Sequence, residues 1–100
     1  MESGSELAWL MAWYAAQCDD DWEHSYGVKL ETLDNPGWQL EIDLADTPHE
    51  DRALTRVSRD MKSETSWSTW VVEAKKFSAA CGPLDLPEVL AAFRRWVEAA

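Results

Sequence analysis

Two runs of alternating apolar and polar residues, joined by a turn sequence, restrict the fold of this chain most strongly. Residues 26–33 and residues 38–44 place apolar side chains at every second position, the period of a strand with one buried face. Between them, Asn35-Pro36-Gly37-Trp38 fits a type II turn, with proline second and glycine third. The pattern predicts an antiparallel hairpin with one apolar face packed on helices. Its other face is polar and carries Glu31, Glu41 and Asp43.

Apolar residues at helical spacing predict a first helix over residues 6–17, with Ser5 as its N-cap. Two apolar stripes cover more than half of the circumference of this helix. It therefore either lies deep in the fold or shows an aromatic edge to a partner. The first stripe consists of Leu7, Leu10, Met11, Tyr14 and Cys18, and the second consists of Trp9 and Trp13.

A last helix is predicted after residue 85. Asp85 is its expected N-cap, Pro87 lies in the first turn, and Glu88 closes a capping box. Its predicted buried stripe consists of Leu86, Val89, Leu90, Phe93 and either Trp96 or Val97.

The segment between the hairpin and the last helix offers two further strands. Thr47-Pro48-His49-Glu50 has the form of a capping box, but the pattern of residues 53–61 permits a polar strand, which we favour. Residues 62–66 are then a loop, residues 67–73 a strand that is apolar on both faces, and residues 79–83 a connection. The order α-β-β-β-β-α predicts one α+β domain over residues 1–100. We expect an antiparallel sheet of about four strands, with an N-terminal and a C-terminal helix packed on it.

Charge is concentrated in the first half of the chain. The formal net charge is −10 and the pI is near 4.4. Residues 1–50 hold twelve acids and one base, a net charge of −11, whereas residues 51–100 carry +1. An acidic surface repels nucleic acid and anionic membranes, so we expect neither as a partner. A basic protein is the natural complement.

The location follows from what the sequence lacks. There is no apolar stretch of about 18 residues that would cross a membrane, and the N-terminus has no basic region typical of a secretory signal. Cys18 and Cys81 are far apart and show no metal-ligand spacing, so reduced thiols are favoured. We therefore expect a cytoplasmic protein.

The run Asp19-Asp20-Asp21-Trp22-Glu23-His24 is the densest polar cluster, and it permits three interpretations. It is a solvated loop, a metal site or a patch that binds a partner. Calcium loops place their ligands at alternate positions with a glycine for the turn, and a zinc site needs more histidine or cysteine. The only other histidine is His49, so we predict no metal and no cofactor.

Motifs for catalysis are missing. The chain has no G-x-S-x-G elbow, phosphate-binding glycine loop or C-x-x-C pair, so we predict that it is not an enzyme. The alternative is a small sulfurtransferase-like enzyme that uses Cys81, since Cys81 precedes a predicted helix. A small buried cysteine is the favoured interpretation, because no arginine lies nearby to hold an anionic sulfur substrate.

Seven tryptophans are many for a chain of 100 residues. Trp38 and Trp96 lie on apolar faces and are predicted to be core residues. Tryptophan is also enriched at the centres of protein interfaces. We expect at least one exposed tryptophan beside the acids, and Trp22 is the candidate because it interrupts the acidic run.

Two longer stretches resemble a known family. Trp13-Tyr14, Gln17-Cys18 and Asp21-Trp22-Glu23-His24-Ser25-Tyr26-Gly27 form the first, and Glu31-Thr32-Leu33-Asp34-Asn35-Pro36-Gly37-Trp38 with Ile42-Asp43-Leu44 forms the second. Together they are similar to the immunity protein 53 family, whose members accompany bacterial polymorphic toxins. The resemblance implies that the chain neutralises a cognate toxin by direct binding, and it supplies no residue-level assignment.

The resemblance and the charge together predict an acidic surface that fills a basic cleft of the toxin, such as the cleft of a nuclease. A monomer or a weak homodimer is expected; a purely structural subunit would associate through Trp9 and Trp13. The predicted toxin-binding residues are Asp19, Asp20, Asp21, Trp22, Glu23, His24, Glu31, Glu41 and Asp43.

Overall fold

The computed structural model describes residues 3–59 and 65–99, which form three helices and five strands. The α+β class is confirmed, and the antiparallel sheet has five strands in place of about four. Met61 and Lys62, which belong to the predicted third strand and loop, lie outside the described residues.

The helices are α1 (Ser3–Gln17), α2 (Trp22–Ser25) and α3 (Leu86–Glu98). The strands are β1 (Val28–Leu33), β2 (Gly37–Asp43), β3 (Leu54–Arg59), β4 (Ser68–Glu73) and β5 (Lys76–Cys81).

The predicted hairpin is formed by β1 and β2, at one edge of a sheet with the order β1-β2-β5-β4-β3. All neighbouring strands are antiparallel. The turn is not type II, because Gly37 pairs with Leu33 and has a φ of 159°, whereas a type II turn needs about +80° at that residue. Glycine is required for another reason. A Cβ at this position would collide with the backbone oxygen of Cys81.

The expected connection over residues 79–83 is wrong, because the chain remains a strand as far as Cys81. β5 lies between β2 and β4 and pairs with both. Ala79 and Ala80 have a low strand propensity, so the local sequence gives little sign of a strand. Pairing on both edges therefore determines the conformation of this segment.

The core lies between one face of the sheet and the helices α1 and α3. Phe77 of β5 meets Phe93 of α3 edge-on, with ring centroids 5.0 Å apart. Phe93 in turn meets Trp13 of α1 edge-on, with ring centroids 5.1 Å apart. The predicted stripe of α3 is confirmed at its buried residues Val89, Leu90, Phe93 and Trp96. Phe93 is thus the link that joins both helices to the sheet.

The start of α3 is predicted correctly, but its acidic side chains form no capping box. Asp85 makes no side-chain cap hydrogen bond; its Oδ2 accepts a hydrogen bond from the backbone N of Trp67 at 2.8 Å. Glu88 Oε2 lies 3.3 Å from Arg59 Nη1. Both carboxylates therefore connect α3 to the neighbouring strands, which a local sequence motif does not reveal.

α1 buries the stripe that contains its tryptophans. Trp13 is buried, and Trp9 is half-buried against Phe93, with ring centroids 5.8 Å apart. Glu6 lies on the same stripe with 4% of its surface exposed, and Arg94 Nη1 of α3 donates a hydrogen bond to its Oε1 at 2.9 Å. This ion pair and the packing of the two tryptophans on Phe93 place the same side of α1 against α3. The two tryptophans thus point inward and form no exposed aromatic edge, which is one of the two alternatives for this helix.

The helix also begins earlier than predicted. Its first residue is Ser3, so Ser5 lies in the first turn instead of the N-cap position.

Residues 45–51 form turns in place of the short helix that Thr47-Pro48-His49-Glu50 offered, and the favoured strand follows as β3. His49 is buried, and Arg52 Nη1 lies 2.9 Å from its Nδ1. Arg52 Nη2 donates to the backbone oxygen of Trp96 at 2.9 Å, and its guanidinium lies 4.0 Å from the centre of the Trp96 ring. Burial, and then the charge of Arg52, lower the pKa of His49. A neutral histidine therefore holds this segment against α3.

Candidate functional site

The acidic loop, residues 19–24, is held in place by its own carboxylates. Glu23 accepts hydrogen bonds from the backbone N of Asp19 and of Asp20, each at 2.9 Å. Asp19 Oδ1 accepts from the backbone N of Asp21 at 3.1 Å and of Trp22 at 2.9 Å. Asp20 has a φ of 72°, a left-handed conformation that aspartate tolerates better than most residues. Two of the predicted contact residues thus have a structural role.

These hydrogen bonds favour the charged form of the two carboxylates. Amide hydrogen bonds from Trp22 and then Asp21 lower the pKa of Asp19. The pKa of Glu23 is lowered by its own backbone amide and then by the amides of Asp19 and Asp20. The lowered pKa values of Asp19 and Glu23 mean that these two carboxylates keep accepting the amide hydrogen bonds as the pH falls below neutral. Asp20 and Asp21 remain exposed and point their charges outward, and His24 is exposed beside them.

Trp22 does not belong to this exposed surface. Only 3% of its surface is exposed, and its Nε1 donates a hydrogen bond to the backbone oxygen of Ala45 at 2.8 Å. Its ring packs edge-on against Trp13, with centroids 6.2 Å apart. The prediction that at least one tryptophan is exposed is wrong. Four of the seven tryptophans are buried, and the other three, Trp9, Trp38 and Trp67, are half-buried. The reason is that six of the seven rings lie in the hydrophobic core or pack against it: Trp9, Trp13, Trp22, Trp38, Trp70 and Trp96.

The predicted contact residues of the hairpin, Glu31, Glu41 and Asp43, lie on the sheet face opposite the helices. Lys29 lies on the same face and offsets part of their negative charge. Glu31 pairs with Gln39 and Glu41 with Lys29, and these four side chains surround a depression of about 130 Å³. Asp43 is half-buried, and its Oδ2 accepts a hydrogen bond from the backbone N of Gly27 at 2.9 Å. Asp43 therefore fixes the segment that enters β1, and Glu31 and Glu41 are the freer carboxylates of this face.

The sequence interpretation missed an exposed apolar surface on α1. Leu7, Met11 and Tyr14 are 49%, 63% and 38% exposed. Next to them, between α1 and β1, lies a groove of about 450 Å³, lined by Leu10, Met11, Tyr14, Tyr26, Gly27 and Val28. A signal for this surface is present in the sequence: residues 7–18 contain no charged side chain. A helix without charges shows apolar residues wherever it is not covered.

Among known protein families, the family described as immunity protein 53 matches residues 7–98 of this chain. The match covers nearly the whole chain of 100 residues. The chain belongs to the immunity protein 53 family. Neither a curated protein nor a solved structure matches it. Membership makes it an immunity protein for a polymorphic toxin.

The side chains of this immunity protein 53 member give little support to the sulfurtransferase alternative. Cys81 is fully buried, and burial, followed by the nearby charge of Asp85, raises the pKa of its thiol to about 11. A thiolate is the nucleophilic form of cysteine, and here it is strongly disfavoured at neutral pH. Cys81 is therefore a core residue of β5, opposite Trp38 and Ser68.

The described residues lack both a cluster of metal ligands and a membrane-spanning helix. Residues 3–59 and 65–99 contain no group of three or more histidine, cysteine, aspartate or glutamate side chains placed to hold a metal ion. In the same part of the chain, no helix has both the length and the apolar character needed to cross a membrane.

Proposed function

We propose that this immunity protein neutralises its cognate toxin in the cytoplasm by placing the acidic loop against a basic region of the toxin. The observation that carries the proposal is the rigid display of Asp20 and Asp21. Both are exposed, and among the described residues neither takes part in an ion pair. Their loop is fixed by Asp19 and Glu23, so little conformational entropy is lost when a cationic partner binds.

The distribution of charge supports the same orientation. Residues 1–50 carry a net charge of −11, and residues 51–100 carry +1. A one-sided field accelerates the encounter with a basic protein and aligns the two before contact. A toxin that acts on nucleic acid needs a basic cleft for the phosphates, and a carboxylate surface competes for that cleft. The toxin of this proposal is therefore basic at its binding site.

The other predicted residues have lesser roles in this proposal. Glu31 and Glu41 add negative potential from the sheet face, where Lys29 offsets part of it. His24 is exposed beside the loop and is available for a polar contact. Asp19, Glu23 and Asp43 act indirectly, because their side chains hold the backbone that presents the other acids.

Binding kinetics test the proposal. The double variant Asp20→Asn/Asp21→Asn removes two charges while keeping side-chain shape, and asparagine also accepts the left-handed backbone at position 20. The probe is the purified cognate toxin domain, taken from the gene immediately upstream where that gene encodes it. We expect the association rate constant at low salt to fall about tenfold and the salt dependence of the affinity to weaken.

The matched control is Asp34→Asn/Asp51→Asn, which removes the same number of charges from two exposed turns. Its association rate constant should stay within about twofold of the wild type, since it leaves the acidic loop intact. The proposal is wrong if the toxin does not bind the wild-type protein, or if both double variants change the rate and the salt dependence equally.

A further inference from the structure

Over residues 6–17, the part of α1 whose side chains the structure describes, the solvent-exposed face carries no charged residue. A surface helix of a globular protein normally carries charged or polar side chains on the side away from the core. Here the exposed positions hold only apolar residues, alanines and one tyrosine. We call this surface the α1 face; its residues are Leu7, Ala8, Met11, Ala12, Tyr14, Ala15 and Ala16.

The α1 face continues into the groove between α1 and β1. Met11 and Tyr14 form one wall of the groove, and Tyr26 and Val28 form part of the other side. Leu30 lies on the same face of β1 as Val28 and is 45% exposed. The result is one apolar surface with a cleft of about 450 Å³, large enough to receive side chains of another protein.

The rotation of α1 that creates this surface is enforced. A rotated α1 would bury Leu7 and Met11, but it would expose Trp9 and break the Glu6–Arg94 ion pair. The fold therefore keeps a polar residue, Glu6, inside and three large apolar residues outside. A contiguous exposed apolar patch of this kind marks an interaction site in soluble proteins.

The charges around the α1 face indicate what covers it. The acidic loop lies directly after the C-terminal end of α1, and Tyr14 of the α1 face packs on Trp22 of the loop, with ring centroids 5.9 Å apart. A partner that buries the α1 face thus meets Asp20 and Asp21 at its rim. A second copy of this chain would bring another net charge of −10 to the same place, which opposes self-association.

We infer that the α1 face and its groove bind an apolar segment of the toxin that is flanked by lysine or arginine. This inference rests on the proposed function and deepens it. Apolar side chains of the toxin fill the groove beside Met11 and Tyr14, while its basic residues meet the acidic loop. The two parts have different kinetic effects, since rim charges mainly set association rates and buried apolar contacts mainly set dissociation rates.

Variants on the α1 face separate the two parts. Leu7→Gln/Met11→Gln makes the surface polar with residues that suit an exposed helix. Ala12→Gln adds bulk without charge at the centre of the face. The matched control is Leu84→Gln, which changes an apolar residue that is 88% exposed and lies outside the groove. Circular dichroism and thermal melting verify that each variant folds, which the exposure of all four positions favours.

Binding is measured with the same upstream-encoded toxin domain. We expect Leu7→Gln/Met11→Gln to raise Kd at least about tenfold through faster dissociation, with the association rate constant nearly unchanged. Ala12→Gln should also speed dissociation, and Leu84→Gln should leave both rates within about twofold.

Three results would overturn the inference, and they are distinguishable. If the wild type does not bind the toxin, the proposed function fails and the inference fails with it. If the acidic-loop variants weaken binding but the α1-face variants behave like Leu84→Gln, only the inference fails. If size-exclusion chromatography shows that the α1-face variants convert a dimer to a monomer without affecting toxin affinity, the face joins two copies instead.

Discussion

Phe93 is the residue through which α1 depends on the rest of the fold, and its truncation gives a quantitative prediction. The side chain is fully buried and meets three rings, one from β5 and two from α1. Its ring centroid lies 5.0 Å from that of Phe77, 5.1 Å from that of Trp13 and 5.8 Å from that of Trp9. Phe93→Ala removes all three contacts and leaves a cavity between α1, α3 and β5.

The expected cost is large compared with the stability of a domain of this size. Truncation of a buried phenylalanine to alanine costs about 3–5 kcal/mol. Each edge-on ring pair adds about 0.5–1.5 kcal/mol beyond burial, so we expect the upper part of that range, about 4–5 kcal/mol. For a domain of 100 residues, 1 kcal/mol lowers Tm by roughly 4–8 °C, which gives a fall of more than about 15 °C.

Urea unfolding followed by tryptophan fluorescence measures the free energy of unfolding, and thermal melting gives Tm. Leu84→Ala is the matched control, because this residue is 88% exposed and should change stability by less than about 0.5 kcal/mol. A loss below about 1.5 kcal/mol in Phe93→Ala would refute this description of the core. The same result would remove the physical reason for the fixed position of the α1 face.

Three other predictions concern single contacts. Arg94→Met removes the partner of the buried Glu6 carboxylate, whereas Arg59→Met breaks the more exposed ion pair with Glu88. Melting curves should therefore show a larger fall in Tm for Arg94→Met than for Arg59→Met. The pKa of His49 is lowered in the folded state, so as the pH falls below about 6.5 the unfolded chain binds a proton before the folded chain does. The free energy of unfolding therefore declines in this range. His49→Asn should reduce this decline, which a comparison of Tm at pH 7.5 and pH 5 measures. The buried thiol of Cys81, with a pKa raised to about 11, should resist alkylation at pH 8 until the protein unfolds. The half-buried Cys18 should react first. Mass spectrometry after timed labelling measures the order of the two reactions.

The sequence predicts those parts of the fold in which apolar residues recur at a clear period. Apolar and polar residues alternate in the hairpin, where Leu40 and Ile42 of β2 are buried. α3 has an apolar stripe narrow enough to define its inner side. In α1 the apolar residues surround most of the helix, so no period selects the buried side. The buried side is defined by contacts with distant residues: the packing of Trp9 and Trp13 on Phe93, and the ion pair between Glu6 and Arg94, which are 88 positions apart. Such a contact is visible only in three dimensions.

The candidate site shows the same limit. Composition and charge point to the acidic loop, but they do not distinguish a carboxylate that binds backbone amides from one that faces solvent. Asp19 and Glu23 are the first kind, and Asp20 and Asp21 are the second. The burial of Trp22 is likewise set by a distant group, the backbone oxygen of Ala45.

Hydroxyl-radical footprinting of the protein with and without the upstream-encoded toxin domain tests most directly where the toxin binds. Met11, Tyr14 and Leu84 are exposed and accessible to the radical. Binding through the α1 face beside the acidic loop predicts that Met11 and Tyr14 lose most of their reactivity in the complex, whereas Leu84 keeps its own. Unchanged oxidation of Met11 and Tyr14 in a fully formed complex would contradict this location.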